Sequence, residues 1–382
     1  MTSKARYDIC LYSPWVALRV AEQSAPGGSE TQVTLLARAL ARHGLTVCLL
    51  GGEVPGVEVP PVVGGVDYVL YGTATGGGWR GGLRQVTAVR KALKKIAPRV
   101  VVARSAGYWV GLFGLWAKVS GRHFVFASAS TADFDYEKVL VKKRERLLFR
   151  IGVALADQII VQTEEQIEPC KRRFHKTPVL IQSISEPAAT TNRQREAFLW
   201  VGRAEANKQP LLYLELARAL PDARFWMIAF STDTRESEQL SAEITRAASA
   251  LPNVELLAPR PRAQLLELME RAVAVVRTSG FEGVPNIFPE AWAQGIPALT
   301  LNHDPDGIIT RHGLGGHAEG QLNRLIDLAS HHWRNRDTAH ERAHHYRTYV
   351  QTQHSPTAVA AAWARALHID DGAAPQPQTA TT

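Results

Sequence analysis

One group of residues suited to binding an anion stands near the start of the 382-residue chain. Gly27 and Gly28 follow an apolar segment and precede Ser29, with Gln32 three positions later, a pairing that predicts a capping box at a helix start. Glycines let the backbone approach a ligand closely, and the first N–H groups of a helix attract negative charge. The segment is suited to bind a phosphate, although taken alone it favours a plain tight turn before a helix. The spacing G-x-G-x-x-G of nicotinamide-binding proteins does not occur here.

A second group joins two cations to the end of a strand-like run. Leu199–Val201 continue into Gly202 and Arg203, and Lys208 follows five positions later. Ligands of open α/β sheets bind beyond the carboxyl ends of the strands. At that edge a guanidinium can fork onto a phosphate and an ammonium can add a point charge. The pair is suited to contact a phosphate, although taken in isolation it favours two solvated surface cations.

The strongest group is a pair of carboxylates, Glu282 and Glu290, on either side of a Gly-Val-Pro stretch. Asn286 has the residue type of an N-cap, which predicts a helix starting at Asn286 or Ile287. Glu290 would then lie on the first helical turns and Glu282 in the preceding loop. Both carboxylates are expected at the ligand-binding edge of a sheet. The alternative is one capping acid and one solvated acid.

Two further acids stand close together in the first half of the chain. Asp133 and Asp135 have the D-x-D form of metal–nucleotide sites, but two acids with one spacer often occur by chance. Since Arg203 and Lys208 can take the role that a metal has elsewhere, we expect no metal. Asp133 and Arg104, which ends another strand-like run, are candidate polar contacts for a ligand of the first half of the chain.

The elements that must position these residues alternate between strand-like and helix-like segments in both halves of the chain, which predicts two doubly wound parallel sheets. Residues 1–185 form one predicted Rossmann-like domain and residues 197–350 the other, with a linker at Glu186–Glu196. An apolar stripe predicts a carboxy-terminal helix at about 355–369 that packs back on the first domain. Residues 371–382 have the composition of a disordered tail.

Together the three groups resemble the signature of retaining GT-B glycosyltransferases of family 4. Glu282-x7-Glu290 is similar to the paired carboxylates of that family, Val201–Arg203 with Lys208 to its diphosphate motif, and Gly27–Gly28 to its amino-terminal loop. The order and spacing match across nearly the whole chain. The resemblance implies the GT-B fold, in which two Rossmann-like domains face each other across a cleft.

The resemblance also implies an activity: retaining transfer of a sugar from a nucleotide-diphosphate donor to a hydroxyl of a glycan, lipid-linked or small-molecule acceptor, in bacterial polysaccharide or glycoconjugate biosynthesis. Arg203 and Lys208 would hold the diphosphate, Glu290 the ribose hydroxyls and Glu282 the transferred sugar. Arg104 and Asp133 are expected to face the acceptor. Backbone N–H groups near Asn286 and Ile287, and at Gly28, would complete the anion cradle. The histidine that many relatives carry after the strand matching Phe124–Ala127 is absent from this sequence.

Charge and composition are compatible with binding to a membrane surface but do not require it. The net charge of +8 permits an acidic partner. Lysines and arginines alternate with apolar residues over Glu137–Arg150, which predicts a helix that either lies on an anionic membrane surface or packs on the sheet with a solvated cationic face. No apolar run reaches 18 residues, so we expect a cytoplasmic protein, with a peripheral position on the inner face of the membrane as the alternative.

Other functions remain open at this stage. A nucleotide-sugar epimerase with the same fold would bind the same donor and need no acceptor. A non-catalytic sugar-nucleotide-binding subunit is disfavoured by the presence of Arg203, Lys208, Glu282 and Glu290. No nucleic-acid-binding motif occurs, so nucleic acid is not an expected partner. The three cysteines are predicted to be buried free thiols.

Overall fold

The computed structural model describes residues 5–20, 28–72, 78–188, 193–232, 234–280 and 284–369, which form two compact units. The first unit is Met1–Ile184 with Pro356–Thr382, and the second is Ser185–Ser355. The chain therefore passes from one unit to the other between Ile184 and Ser185 and returns between Ser355 and Pro356. The tail expected at 371–382 lies outside the described residues.

The first unit is built on an eight-stranded sheet. Its strands are β1 Tyr7–Tyr12, β2 Val47–Gly52, β3 Val62–Val63, β4 Val66–Tyr71, β5 Pro98–Arg104, β6 His123–Ala127, β7 Gln158–Val161 and β8 Val179–Leu180. They lie in the order β3-β4-β2-β1-β5-β6-β7-β8, and every neighbouring pair is parallel except β3 and β4. The strand order reverses between β1 and β5, which is the switch point of a doubly wound sheet.

Helices cover this sheet. They are α1 Val16–Val20, α2 Gly28–Arg42, α3 Gly78–Ile96, α4 Tyr108–Ser120, α5 Tyr136–Val139, α6 Lys143–Leu155 and α7 Ile167–Phe174, with α15 Pro356–Ala366 from the chain end. The helix α15 packs on α2 and buries Val359, Ala360 and Trp363 in the core of the first unit. The apolar stripe of this helix therefore contacts the first unit.

The second unit is built on a six-stranded sheet in which every neighbouring pair is parallel. Its strands are β9 Ala197–Arg203, β10 Phe225–Phe230, β11 Val254–Leu256, β12 Ala272–Arg277, β13 Ala298–Thr300 and β14 Gly315–His317. The order is β11-β10-β9-β12-β13-β14, so the switch point lies between β9 and β12. The helices are α8 Pro210–Ala219, α9 Arg235–Ser249, α10 Arg262–Met269, α11 Ile287–Ala293, α12 Ile308–Arg311, α13 Leu322–Arg334 and α14 His340–Gln353.

Two local predictions are wrong. The helix α2 begins at Gly28, which places Ser29 inside it, and the Gln32 side chain is buried. Instead of forming a capping box, the Gln32 amide donates to the Ile184 carbonyl at 2.9 Å and accepts from the Ile184 N–H at 2.8 Å. This contact satisfies the backbone of a segment that lies 152 residues further along the chain.

The basic segment Glu137–Arg150 does not form one helix. Its chain leaves the helical path between α5 and α6, where Leu140 turns into the core and is 8% exposed. The Arg146 guanidinium donates to the carbonyls of Leu140 and Glu137, at 2.5 and 2.7 Å, and so satisfies groups that the break leaves without helical partners. Burial of the Leu140 side chain therefore interrupts the predicted helix, and the Arg146 guanidinium caps the carbonyls at the break.

The cysteine prediction is confirmed, since Cys10, Cys48 and Cys170 are free and buried. Cys10 and Cys48 are paired residues of β1 and β2. They contribute small apolar side chains to the core of the first unit.

Candidate functional site

The predicted donor residues gather at the carboxyl edge of the second sheet. Arg203 is the last residue of β9, and Lys208 lies in a short 3-10 turn, Ala206–Lys208, before α8. The neighbouring strand β12 ends at Arg277, and the loop that follows leads into α11 with Glu290 in its first turn. The two loops flank the switch point, the position where α/β sheets bind ligands.

Hydrogen bonds join the loop after β9 to the loops after β12 and β13. The Gly280 N–H donates to the Asn207 carbonyl at 2.9 Å, and the Thr278 hydroxyl donates to the Lys208 carbonyl at 2.8 Å. The Asn302 amide donates to Gln209 Oε1 at 2.7 Å and to the Thr278 carbonyl at 2.9 Å. The backbone that carries Lys208 is thus held by the loop after β12, and Asn302 in turn bonds to that loop and to the Gln209 side chain.

Gly202 is required by close packing at the end of β9. A Cβ at this position would lie 2.9 Å from the Trp200 ring and 3.3 Å from Arg277 Nη1. Arg277 is buried and donates from Nη1 to the Val201 carbonyl at 2.6 Å. The next residue, Arg203, points its charge outward: its side chain is 53% exposed and its Nη1 contacts Glu205 Oε1 at 2.9 Å.

The carboxylate of Glu290 forms an ion pair that the sequence did not reveal. Arg262, the first residue of α10, donates to Glu290 Oε1 from Nη2 at 2.9 Å and from Nε at 3.2 Å. The Glu290 side chain is 11% exposed and the Arg262 side chain 20% exposed, so the pair is largely shielded from solvent. Arg262 stands 28 positions before Glu290, at the start of another helix, which is why local spacing could not identify the pair.

The remaining donor-side predictions divide into three outcomes. The helix α11 begins at Ile287 with Asn286 at its N-cap position, as predicted, although the Asn286 side chain makes no capping hydrogen bond. Gly28 is the first residue of α2, a helix of the first unit that comes after β1 and α1 in the chain. Gly27 and Glu282 lie outside the described residues.

The two residues predicted to face the acceptor lie in the first unit. Arg104 ends β5, and its Nε has no hydrogen-bond partner among the residues described. Burial lowers the pKa of Arg104 to about 10, while the charges of Asp133 and Glu30 oppose this shift. Since this pKa remains far above neutral, Arg104 is a cation at the carboxyl edge of the first sheet.

Asp133 is engaged by the protein itself. Its carboxylate is buried and accepts hydrogen bonds from the N–H groups of Ala106 and Ala129 at 2.7 Å, and from the Ser130 N–H and the Ser128 hydroxyl at 3.2 and 3.1 Å. Burial raises the pKa of Asp133, and these hydrogen bonds oppose the rise. The direct effect of Asp133 is to join the loop after β5 to the loop after β6.

The two acids of the D-x-D segment face different surroundings. Asp135 is half-exposed and pairs with Lys138 at 2.5 Å, whereas Asp133 is buried. Within the described parts of the chain, no three His, Cys, Asp or Glu residues form a group that could hold a metal ion. Asp133 and Asp135 therefore do not present their two carboxylates to one common ligand in this structure.

The basic segment exposes apolar side chains. Val139, Val141 and Leu147 are 48%, 81% and 58% exposed, and Lys138, Lys142 and Arg144 lie among them along the chain. The helix α6 packs on α4 through its other face, where Gly152 meets Val110 and Gly111. No helix among the described residues is long and apolar enough to cross a membrane.

Comparison with known proteins agrees with this architecture. Residues 27–181 match the family described as a glycosyl transferase 4-like domain. No curated protein sequence matches the chain.

Solved structures of similar fold cover nearly the whole chain. Sucrose-phosphate synthase from Thermosynechococcus elongatus has a TM-score of 0.73 at 17% identity, covering 95% of this chain and 99% of its own. Anabaena HepE in complex with UDP and glucose has a TM-score of 0.72 at 13% identity, covering 95% and 100%. A glycosyltransferase from Rickettsia africae has a TM-score of 0.70 at 12% identity, covering 97% and 100%. At these identities the similarity establishes the fold, and the predicted pair of Rossmann-like domains is confirmed.

Proposed function

We propose that this protein, whose residues 27–181 match a glycosyl transferase 4-like domain and whose fold is GT-B, transfers a sugar from a nucleotide-diphosphate donor to an acceptor hydroxyl with retention of configuration. The observation that carries the proposal is the convergence of Arg203, Lys208 and the start of α11 at one switch point. The complex of HepE with UDP and glucose supports a nucleotide-diphosphate sugar as the donor class.

Catalysis in this proposal is mainly electrostatic. Negative charge grows on the leaving diphosphate as its bond to the sugar breaks, and Arg203 and Lys208 stabilise that charge. The leaving phosphate oxygen accepts the proton of the acceptor hydroxyl, so the chain supplies no strong base. Because two cations meet the diphosphate, we propose that no divalent metal is required.

The remaining donor contacts follow the motif. Glu290 binds the ribose hydroxyls and Glu282 the hydroxyls of the transferred sugar. Backbone N–H groups near Asn286 and Ile287, and those of the Gly27–Gly28 loop, complete the binding of the diphosphate. Arg104 acts on the acceptor side as a buried cation, and Asp133 acts there by shaping the loops beside it.

A screen of nucleotides tests the donor class. We expect one nucleoside diphosphate, and its sugar conjugate, to raise the melting temperature of the protein more than the others do. A ligand present at 100 times its dissociation constant adds about 2.7 kcal/mol to the free energy of unfolding. Differential scanning fluorimetry against the common nucleoside diphosphates measures the shift. If no nucleoside diphosphate or nucleotide sugar stabilises the protein, the proposed donor class is wrong.

We also propose that the acceptor is reached at an anionic membrane surface. The support is the set of exposed apolar residues Val139, Val141 and Leu147 among cations, a composition that binds interfaces by burial and by attraction to anionic lipids. The protein should co-sediment with vesicles that contain phosphatidylglycerol and not with neutral phosphatidylcholine vesicles. Val141→Glu with Leu147→Glu should abolish this binding, and equal sedimentation of this double variant would contradict it.

A further inference from the structure

Arg262 links two carboxylates of the second unit. Its Nε and Nη2 donate to Glu290 Oε1, and its Nη1 lies 3.6 Å from Glu186 Oε2. Glu186 is the second residue after the chain enters this unit at Ser185. One guanidinium therefore holds two acids from separate parts of the chain.

The two hydrogen bonds from Arg262 end on the same oxygen of Glu290. Both reach Oε1, and Oε2 accepts no hydrogen bond from any residue in the described ranges. A carboxylate that is 11% exposed keeps a strong need for donors at both oxygens. The open oxygen suits a hydroxyl group, and a vicinal diol presents two hydroxyl donors side by side.

The backbone of α11 is held from the same segment. The Ser185 hydroxyl donates to the Pro289 carbonyl at 3.2 Å, one residue before Glu290. Ser185 is itself buried, and its N–H donates to the His354 carbonyl at 2.9 Å. Two contacts therefore hold Glu290 in position. Ser185 binds the main chain beside it, and Arg262 binds its carboxylate.

We propose that Arg262 is a positioning residue that occupies Glu290 Oε1 and leaves Oε2 to bind the 2′- and 3′-hydroxyls of the donor ribose. The chain would thereby select ribonucleotide donors over 2′-deoxyribonucleotide donors. This inference rests on the proposed function, in which Glu290 binds the ribose. The geometry needs arginine, because a lysine ammonium is a point charge that cannot reproduce a planar fork.

The test compares binding of the preferred nucleoside diphosphate with binding of its 2′-deoxy counterpart by isothermal titration calorimetry. The full-length wild-type protein should favour the ribonucleotide by roughly ten- to a hundredfold, the range of one hydrogen bond to a charged group. Arg262→Gln should weaken ribonucleotide binding by about the same factor and deoxyribonucleotide binding, which keeps only the 3′-hydroxyl contact, by a clearly smaller factor, and so remove most of the discrimination. Arg262→Lys should retain only part of it.

Arg271→Gln is the matched control. Arg271 forms a two-point pair with Glu196, with distances of 2.7 and 2.5 Å, in the same unit but immediately before β12, at the opposite edge of the sheet. This variant loses an equivalent ion pair and should keep the wild-type preference for ribose. Should Arg262→Gln fail to fold, Arg262→Lys provides the same comparison.

The outcomes separate the inference from the function on which it rests. A wild-type protein that binds neither nucleotide refutes the proposed function. A wild-type protein that prefers the ribonucleotide, with Arg262 variants that keep the full preference, overturns the inference alone. Equal weakening of both nucleotides also overturns it, because a merely structural role would lower both affinities together. At saturating donor, turnover of Arg262→Gln should stay within about threefold of wild type while KM rises, since ribose contacts do not change in the transition state.

Discussion

Replacing Lys208 with alanine is expected to lower turnover by about a hundredfold or more, which is the effect of losing one donor that stabilises developing charge. Lys208 is the only lysine between Ser185 and Ser355. The residue lies in the turn after β9, where Thr278 and Gly280 hold the loop in place. Because its backbone is anchored by neighbouring strands, loss of the side chain should remove the ammonium without moving the loop. Steady-state kinetics at saturating donor measures the effect.

Two variants control for this result. Lys208→Arg keeps a positive charge and should recover part of the lost turnover. Arg218→Ala removes a cation from the exposed face of α8, where it pairs with Glu215 at 3.9 Å, and should leave turnover at the wild-type level. Wild-type turnover and wild-type donor affinity in a folded Lys208→Ala protein would refute the assignment of the diphosphate site.

Replacing Gly111 with alanine is expected to lower the free energy of unfolding by about 3 kcal/mol, the upper end of the usual cost of overpacking. A Cβ at Gly111 would lie 2.2 Å from the Leu148 carbonyl oxygen, and a Cβ at Gly152 would lie 2.3 Å from the Val110 carbonyl oxygen. Both clashes are with backbone atoms, so α4 and α6 must separate to admit the methyl group. Equilibrium urea denaturation followed by circular dichroism measures the loss.

Gly82→Ala is the matched control for Gly111→Ala. Gly82 lies on the exposed side of α3, and a Cβ there meets no atom within 4 Å. Alanine is favoured over glycine inside a helix by up to about 1 kcal/mol, so this variant should be at least as stable as wild type. If Gly111→Ala were as stable as Gly82→Ala, the close packing of α4 on α6 would be contradicted.

The sequence was sufficient to predict a second parallel sheet and the edge of it at which Arg203 and Glu290 lie. Arg203 follows a strand, and Glu290 follows another, and strand ends of a parallel sheet share one edge. Local spacing therefore predicted that these side chains belong to one edge of the sheet. The hydrogen bonds between the loops could not be predicted in the same way, because Asn207 meets Gly280 only after the two strands have become neighbours.

The wrong predictions share a physical cause, which is a distant contact that outweighs a local preference. Gln32 has the spacing of a capping residue, but it is buried against the backbone of Ile184. Leu140 stands in a helical pattern, but it is buried in the core and interrupts the helix. The Arg262–Glu290 pair also depends on tertiary structure, since the two residues start different helices. A local sequence pattern predicts local geometry, but it does not predict contacts between residues that are distant in the chain.

Titration of the preferred nucleotide sugar in the presence of a chelator tests the central claim most directly. The claim is that Arg203 and Lys208, at the carboxyl edge of the second sheet, bind the donor diphosphate without a metal. Wild-type protein should bind one donor per chain in excess EDTA. The double variant Arg203→Gln, Lys208→Ala should lose at least a hundredfold in affinity, while Arg271→Gln should not. Absence of binding by the wild-type protein until manganese is added, or equal binding by the double variant, would contradict the claim.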